Sequence, residues 1–164
     1  MSSEDTAAGH TAADLIKQMT SIKTCMMTTI DENGKLVSRP MALAQADEDH
    51  QLWFLTRVDS EKADDVVGNG DINLAFVADK TWISVAGSAS LTTDRQKKQE
   101  LWELGAKAYF ADGPEDPEAA LIRVDPQTAQ FWEGPGKVAA LVKMTAAAVS
   151  DSAPDMGEHG RVQL

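Results

Sequence analysis

Three short polar turns constrain the fold of this chain most strongly, because each separates two segments of strand-like composition. They occupy residues 31–34, 47–50 and 79–81, and the first contains an Asn-Gly pair, which favours a tight hairpin. The segments that they connect are predicted strands at residues 25–30, 35–43, 51–55, 72–78 and 82–91. Consecutive hairpins form a meander, so we predict an antiparallel sheet.

Short helices are predicted beside these strands, at residues 11–21, 60–67 and 93–104. The first helix begins with Thr11 and Asp14, which resemble a capping box. A second capping box, at residues 93–96, opens the third helix. Beyond a loop at 111–117, the pattern predicts a strand, a helix from Pro126 to Trp132 and a final strand, with the two strands at 120–124 and 138–149.

Five or six antiparallel strands with short helices favour a small closed β-barrel over a sandwich, because closure removes exposed strand edges. The length of 164 residues fits a single domain over 1–164, with a core at about 11–149 and a tail from Ser150 that we expect to be frayed. Barrels of this kind often leave a groove at a dimer interface, and such a groove suits a flat cofactor.

The charge and composition exclude several classes of partner. The net charge is −11, which repels nucleic acid and anionic lipid, so we expect neither a nucleic-acid nor a membrane partner. The single Cys25 fits a reducing compartment, and the acidic N-terminus is unlike a signal peptide. We therefore expect a cytoplasmic protein. The three histidines show no ligand spacing, so no metal site is predicted.

Arg39 is the most informative single residue, because alternation along its strand places it on the same face as Val37, Met41 and Leu43. A guanidinium on an apolar face requires an anion, since an unpaired buried charge costs several kcal/mol, on the order of a large fraction of domain stability. The anion could be a carboxylate of the chain or a bound ligand.

A second feature follows about twenty residues later, where a strand ends and a helix begins. The run 55–62 brings together the hydroxyls of Thr56 and Ser60, free backbone N–H groups at the helix start and the ammonium of Lys62. These are the groups that bind a phosphate monoester. Ser60 could equally be only a helix cap, and Lys62 only a solvated helix residue.

Several short motifs together resemble a known family. Segments 38–41, 52–56, 60–62 and 85–89, followed by 108–110, 115–118, 123–124 and 131–132, are similar to the FMN-binding split barrels. The general stress protein 26-like branch, related to pyridoxamine 5′-phosphate oxidase, is the most similar group, and the resemblance covers about residues 11–149. It implies an α+β, mainly β fold with an antiparallel split β-barrel, and a flavoprotein homodimer with two FMN molecules at its interface.

The resemblance also implies roles for individual residues. Arg39 and Lys62 would bind the FMN phosphate, supported by Thr56 and Ser60. Four further residues would lie along the flavin ring: Pro40, Met41, Ala42 and Leu55. Trp82 falls where related barrels place a cofactor contact, which the second subunit could provide, although a tryptophan there could also belong to the core. Glu61 departs from the pattern, because the oxidases have a basic residue at this position.

The resemblance does not extend to vitamin B6 synthesis. Ala44 stands where the true oxidases carry a lysine, and residues 157–161 lack their Arg-x-His ending. Two functions remain open: an FMN-dependent oxidoreductase that takes electrons from a reduced nicotinamide or another small donor, and a non-catalytic protein that binds or senses flavin. A barrel that uses the deazaflavin F420 or haem is a third possibility. No acid or base catalyst can be named from the sequence.

Overall fold

The computed structural model describes residues 10–105, 112–134, 144 and 158–164. In these ranges the chain forms three helices, α1 (Ala12–Ile22), α2 (Glu61–Gly68) and α3 (Arg95–Glu103). It also forms seven strands: β1 (Thr24–Ile30), β2 (Leu36–Ala46), β3 (Leu52–Arg57), β4 (Asp71–Ala78), β5 (Thr81–Thr92), β6 (Ala119–Glu133) and β7 (Glu158–Gln163).

Six of the strands close into an antiparallel barrel in the order β3-β2-β1-β4-β5-β6. Closure comes from β6, whose first half pairs with β3 from Ala119 opposite Arg57 to Val124 opposite Leu52. The predicted split β-barrel is therefore confirmed. Within the described part of the chain, no helix is long and apolar enough to cross a membrane.

The local signals at the start of the chain are confirmed. The side chain of Thr11 accepts a hydrogen bond from the backbone N–H of Asp14, whose carboxylate accepts one from the Thr11 N–H, so α1 begins with a true capping box. In the first hairpin, the carboxylate of Asp31 accepts the N–H groups of Asn33 and Lys35, and Gly34 adopts a φ of 76°. Only glycine adopts such a φ without strain.

The helix predicted from Pro126 to Trp132 is wrong, because these residues belong to the 15-residue strand β6. Pro126 lies at a register shift in the pairing of β5 with β6, and a proline is tolerated at such a bulge because one ladder hydrogen bond is already absent. Gly87 lies opposite Pro126, and a Cβ there would lie 2.5 Å from the carbonyl oxygen of Asp125. The close approach of the two strands therefore requires glycine.

Two other expectations near the C-terminal half need correction. The tail is not uniformly frayed, because β7 pairs with the second half of β6, from Thr128 opposite Gln163 to Glu133 opposite Glu158. The capping box at 93–96 is also misplaced by one residue, since Asp94 caps α3 by accepting from the N–H groups of Gln96 and Lys97. The strand predicted at 138–149 lies outside the described residues except for Met144, which cannot test it.

The two faces of the barrel wall differ sharply in character. Its inward side forms the core with α1, whose Leu15 and Met19 are fully buried beside Met27, Phe54 and Phe76. On the outward side, five adjacent strands together present a surface of uncharged side chains, which we call the uncharged face. It consists of Met26, Thr28, Ser38, Pro40, Ala42, Asn73, Ala75, Val77, Trp82, Ser84, Ala86, Thr128, Gln130 and Trp132.

Candidate functional site

A cavity of about 240 Å³ lies where β2 and β3 meet the start of α2 and the end of α3. It contains five of the residues predicted to bind the cofactor: Pro40, Met41, Ala42, Leu55 and Lys62. The remaining lining comes from Lys23, Leu43, Ala44, Leu101, Leu104 and Gly105. Most of the described side chains that line the cavity are apolar, and the ionisable ones among them are two lysines, with no carboxylate.

Helix α3 is held over this cavity by a buried lysine. Lys98 is only 5% exposed, and its ammonium donates to the backbone oxygens of Asp116 and Ala119, each at 3.2 Å. These contacts attach α3 to the start of β6, so that Leu101 and Leu104, at the C-terminal end of the helix, reach the cavity. Sequence reasoning missed this wall, because α3 carries no ligand-binding motif.

The start of α2 brings Thr56 and Ser60 together, as the sequence predicted. Their hydroxyl oxygens are 3.0 Å apart, and Thr56 is buried. The Ser60 hydroxyl donates to the carbonyl oxygen of Arg57 at 2.8 Å and accepts the N–H of Ala63 at 3.3 Å. Since its one proton is used by Arg57, Ser60 acts as a helix cap here and has no free donor for a ligand.

Free donors at this turn come from the backbone and from Lys62. The carbonyl of Ser60 accepts the N–H groups of Ala63 and Asp64, whereas nothing in the described ranges accepts those of Glu61 and Lys62. The half-buried Lys62 side chain also forms no ion pair within these ranges. Two open amides and an ammonium at a helix N-terminus form a suitable cradle for an anion.

Arg39 lies on the inward side of β2, as predicted, but it does not line the cavity. Its Nη1 atom donates to Oγ1 of Thr29 at 2.6 Å and to the carbonyl oxygen of Met27 at 3.4 Å, and its Nη2 atom lies 3.4 Å from Oδ2 of Asp65. The Thr29 hydroxyl donates to the same carboxylate oxygen at 2.8 Å. Of the two anions that the sequence left open, the structure shows the carboxylate.

Trp82 is likewise separate from the cavity in this subunit. It lies on the uncharged face directly opposite Trp132, and each of the two side chains is 43% exposed. The alternative that Trp82 belongs to the core is therefore wrong. Two large exposed indoles side by side on an uncharged surface are typical of a protein interface.

A larger cavity of about 670 Å³ lies on the other side of α2 and has the opposite charge. Its lining includes the carboxylates of Asp31, Glu32, Glu61, Asp64 and Asp65. Glu61, the departure noted in the sequence, thus lines the acidic cavity rather than the one that contains Lys62. A phosphate would be repelled from this side of α2 and attracted to the other.

Cys25 has the properties of a core thiol. It is 3% exposed, and burial raises the pKa of its thiol from 9.0 to about 12. A thiol that stays protonated at neutral pH is a poor nucleophile. Among the residues that the structure describes, no group of three or more His, Cys, Asp or Glu side chains is placed to hold a metal ion.

A family model described as "Pyridoxamine 5'-phosphate oxidase like" matches residues 10–155 of the chain. Over 130 aligned residues, the chain is 41% identical to the protein bli-3 of Neurospora crassa, and the alignment includes 72% of this chain and 62% of bli-3. The chain thus spans less than two thirds of the length of this curated relative.

Solved structures resemble the whole barrel. A general stress protein 26 from Jannaschia sp. CCS1 superposes with a TM-score of 0.69 at 26% identity, covering 93% of this chain and 99% of its own. The general stress FMN/FAD binding protein from Xanthomonas citri superposes with a TM-score of 0.64 at 28% identity, covering 75% of this chain and 88% of its own. Both lie in the branch that the sequence motifs indicated.

Proposed function

The chain belongs to the pyridoxamine 5′-phosphate oxidase-like family, and on that premise we propose that it is a flavoprotein that binds FMN in the cavity between β2, β3, α2 and α3. The observation that carries this proposal is the lining of the cavity. Apolar side chains of β2, β3 and α3 lie beside a helix N-terminus with a lysine and two open amides, which matches a ligand with a flat ring and a terminal phosphate. The flavin named for the Xanthomonas citri relative supports the choice of ligand.

The residues of the cavity divide between the two parts of FMN. Lys62 and the amides of Glu61 and Lys62 bind the phosphate, with Thr56 and Ser60 positioning the turn. Pro40, Ala42 and Leu55 contact the ring, and the small side chain of Ala42 allows the ring to approach the β2 backbone. We also propose that Arg39, which does not itself line this cavity, binds the phosphate with the two donors that Thr29, Met27 and Asp65 leave free.

We further propose that the protein is a homodimer with the cofactor at the subunit interface. Cavities that enclose a ligand of this size usually measure roughly 300–1,000 Å³. The 240 Å³ found in one subunit holds only part of FMN. Pro40 and Ala42 belong both to the cavity and to the uncharged face, so a second subunit on that face would cover the open side.

Charge favours this arrangement. Each subunit has a net charge of −11, and two such subunits associate only through a surface that keeps their carboxylates apart. The uncharged face meets this condition, and it presents the exposed side chains of Met26, Val77, Trp82 and Trp132. We retain for Trp82 the cofactor contact that the family resemblance implies, which in a dimer would come from the partner subunit.

We propose that the bound flavin is redox-active with a reduced nicotinamide or another small donor. When bound, FMN supplies hydride and electron transfer, and the protein supplies binding, orientation and electrostatics. The lining of the cavity is consistent with this division, since Lys23 and Lys62 are the only ionisable side chains among its described residues. Anaerobic mixing of the FMN-loaded protein with NADH or NADPH distinguishes this redox role from a binding or sensing role without turnover. Only in a redox enzyme is the bound flavin bleached at a rate that supports turnover.

The central experiment is an absorption spectrum of the purified protein, followed by titration of the flavin-free protein with FMN. We expect flavin maxima on purification, or stoichiometric uptake of added FMN by colourless protein. A protein that is colourless and fails to take up FMN would refute the proposed function, and the same titration with haem and a deazaflavin tests the other two cofactors.

A further inference from the structure

Lys23 has an unusual backbone conformation at the edge of the cavity. It forms the C-cap of α1 with φ 72° and ψ −43°, and among the described residues only Lys23 and His50 have a positive φ without being glycine. His50 lies in a tight turn, where such a conformation is common. For a lysine it costs free energy, so the surroundings must hold it in place.

Two backbone hydrogen bonds hold Lys23 there. Its N–H donates to the carbonyl oxygen of Met19 at 2.8 Å, and its own carbonyl oxygen accepts the N–H of Leu43 at 2.8 Å. The second bond joins the end of α1 to β2 at the strand segment that lines the cavity. The strained residue is therefore tied to the floor of the proposed flavin site.

Lys23 and Lys62 are the two cationic residues of the cavity, and they approach it from opposite sides of β2. Lys23 immediately precedes β1, whereas Lys62 follows β3, and β2 lies between these two strands. Within the described ranges neither lysine forms an ion pair, although acidic residues outnumber basic residues by 26 to 15 in the whole chain. No carboxylate of the described residues thus competes with a ligand for either ammonium group.

A lysine at the end of a helix also has a simpler role, because a cation stabilises the helix dipole. That role does not explain the conformation, since glycine adopts a positive φ at a helix end without strain. It also does not explain the position on the cavity. Strained residues of this kind concentrate at ligand sites, where the structure holds them for a purpose other than stability.

We propose that Lys23 is a second cationic ligand contact, which binds the electron-rich nitrogen and oxygen edge of the flavin ring. This inference rests on the proposed function. Lys62 would hold the phosphate on the β3 side of β2, and Lys23, on the β1 side, would then be the cation available to the ring. An ammonium at this edge favours the reduced flavin, because reduction places negative charge on the ring.

The test compares Lys23→Met with Lys62→Met, and uses Lys17→Met as a matched control, because Lys17 is exposed on the same helix and does not line the cavity. Each variant is titrated with FMN and with riboflavin, and its flavin midpoint potential is measured. Lys62→Met should lower the affinity for FMN but not for riboflavin, since riboflavin has no phosphate. Lys23→Met should lower the affinities for FMN and riboflavin by the same factor. The affinity for reduced flavin should fall by about a further tenfold, as expected for the loss of one charge-assisted hydrogen bond.

A tenfold preferential loss of the reduced form lowers the midpoint potential by about 30 mV for a two-electron couple. If Lys23→Met weakens FMN but not riboflavin, Lys23 binds the phosphate and the ring assignment is wrong. If it behaves like Lys17→Met, Lys23 only stabilises the helix end. Lys23→Gly keeps the backbone conformation and removes the ammonium, so it should reproduce the ligand effects even if the methionine variant folds poorly.

Different results would refute the flavin site and the contact of Lys23 with the flavin. A parent protein that binds neither flavin refutes the proposed function. A parent that binds FMN, together with a Lys23→Met variant whose affinities and potential are unchanged, refutes only the role of Lys23.

Discussion

Arg39 and Asp65 form an ion pair on the inward side of the barrel, with 3.4 Å between Nη2 and Oδ2 and with both side chains largely buried. The three contacts of Arg39 with Thr29, Met27 and Asp65 use three of the five N–H donors of a guanidinium. Two donors, on Nε and Nη2, remain for a phosphate. The structure thus gives Arg39 a structural partner without excluding a ligand.

Arg39→Ala should lower both stability and FMN affinity. The affinity should fall by on the order of 1.5–3 kcal/mol, the range for a hydrogen bond to a charged group. The free energy of unfolding should also fall, because the largely buried Asp65 carboxylate loses its partner. FMN titration and urea unfolding measure the two effects separately.

The double variant Arg39→Ala/Asp65→Ala separates the two roles of Arg39. Removal of the Asp65 carboxylate, which has lost its cationic partner once Arg39 is replaced, should restore part of the stability and leave FMN affinity low. If FMN affinity returns together with stability, Arg39 serves only the ion pair, and it has no place in the phosphate site.

The flavin-free protein should prefer FMN to riboflavin by about a hundredfold, since two charge-assisted contacts to the phosphate contribute roughly 1.5 kcal/mol each. Lys62→Met should reduce that preference by about tenfold without changing riboflavin affinity. Lys80→Met, at an exposed turn away from the cavity, is the control and should leave both affinities unchanged. Equal affinities of the parent protein for FMN and riboflavin would refute the proposed phosphate site.

A charge on the uncharged face should dissociate the dimer. Met26→Glu places a carboxylate at a position that is 42% exposed in one subunit and that pairs with Pro40 across the strands. Burial of two such carboxylates in an interface is unfavourable, so sedimentation should shift from about twice 17.6 kDa to the monomer. If the second subunit completes the site, as proposed, FMN affinity should fall with the loss of the dimer.

Val67→Glu is the matched control for this experiment. Val67 is an exposed apolar residue of α2 that lies outside the uncharged face, so the same change of side chain should leave the dimer intact. A parent protein that is monomeric and still binds FMN stoichiometrically would contradict the shared site.

Cys25 should make stability sensitive to alkaline pH. Burial raises the pKa of its thiol from 9.0 to about 12, so between these values the unfolded chain loses a proton that the folded chain keeps. The contribution of the protonated Cys25 thiol to the free energy of unfolding is fully present below pH 9, and it is lost as the pH rises towards 12. The unfolding free energy of the parent, relative to Cys25→Ala, should therefore fall by about 1.4 kcal/mol per pH unit in this window. A pH-independent difference would show that the thiol titrates equally in both states.

The strand β6 illustrates where sequence reasoning failed. Pro126 is favourable at the start of a helix, so the local sequence predicts a helix from this residue. The strand β6 exists because its residues pair with β5 on one side and with β3 and then β7 on the other, and these partners lie far away in the chain. The strand β7 is invisible in the sequence for the same reason, since its stability comes from β6.

The candidate site divides along the same line. Sequence reasoning found Pro40, Met41, Ala42, Leu55 and Lys62, which line one cavity, and it placed Thr56 beside Ser60. It also placed Arg39 on the inward face. It did not identify Asp65 as the partner of Arg39, and it missed Lys23 and the wall formed by α3, because nothing near them in the chain indicates a ligand.

By itself, the sequence determined the hairpins, the Thr11 capping box and the Ser60 cap. Each of these depends on hydrogen bonds between residues only two to four positions apart, and such bonds form wherever the local residue types allow them. The tertiary structure alone decided the cavity, the uncharged face and the ion pair of Arg39 with Asp65. These depend on strand register and on the packing of α2 and α3, which are selected by the burial of the whole core rather than by any local segment.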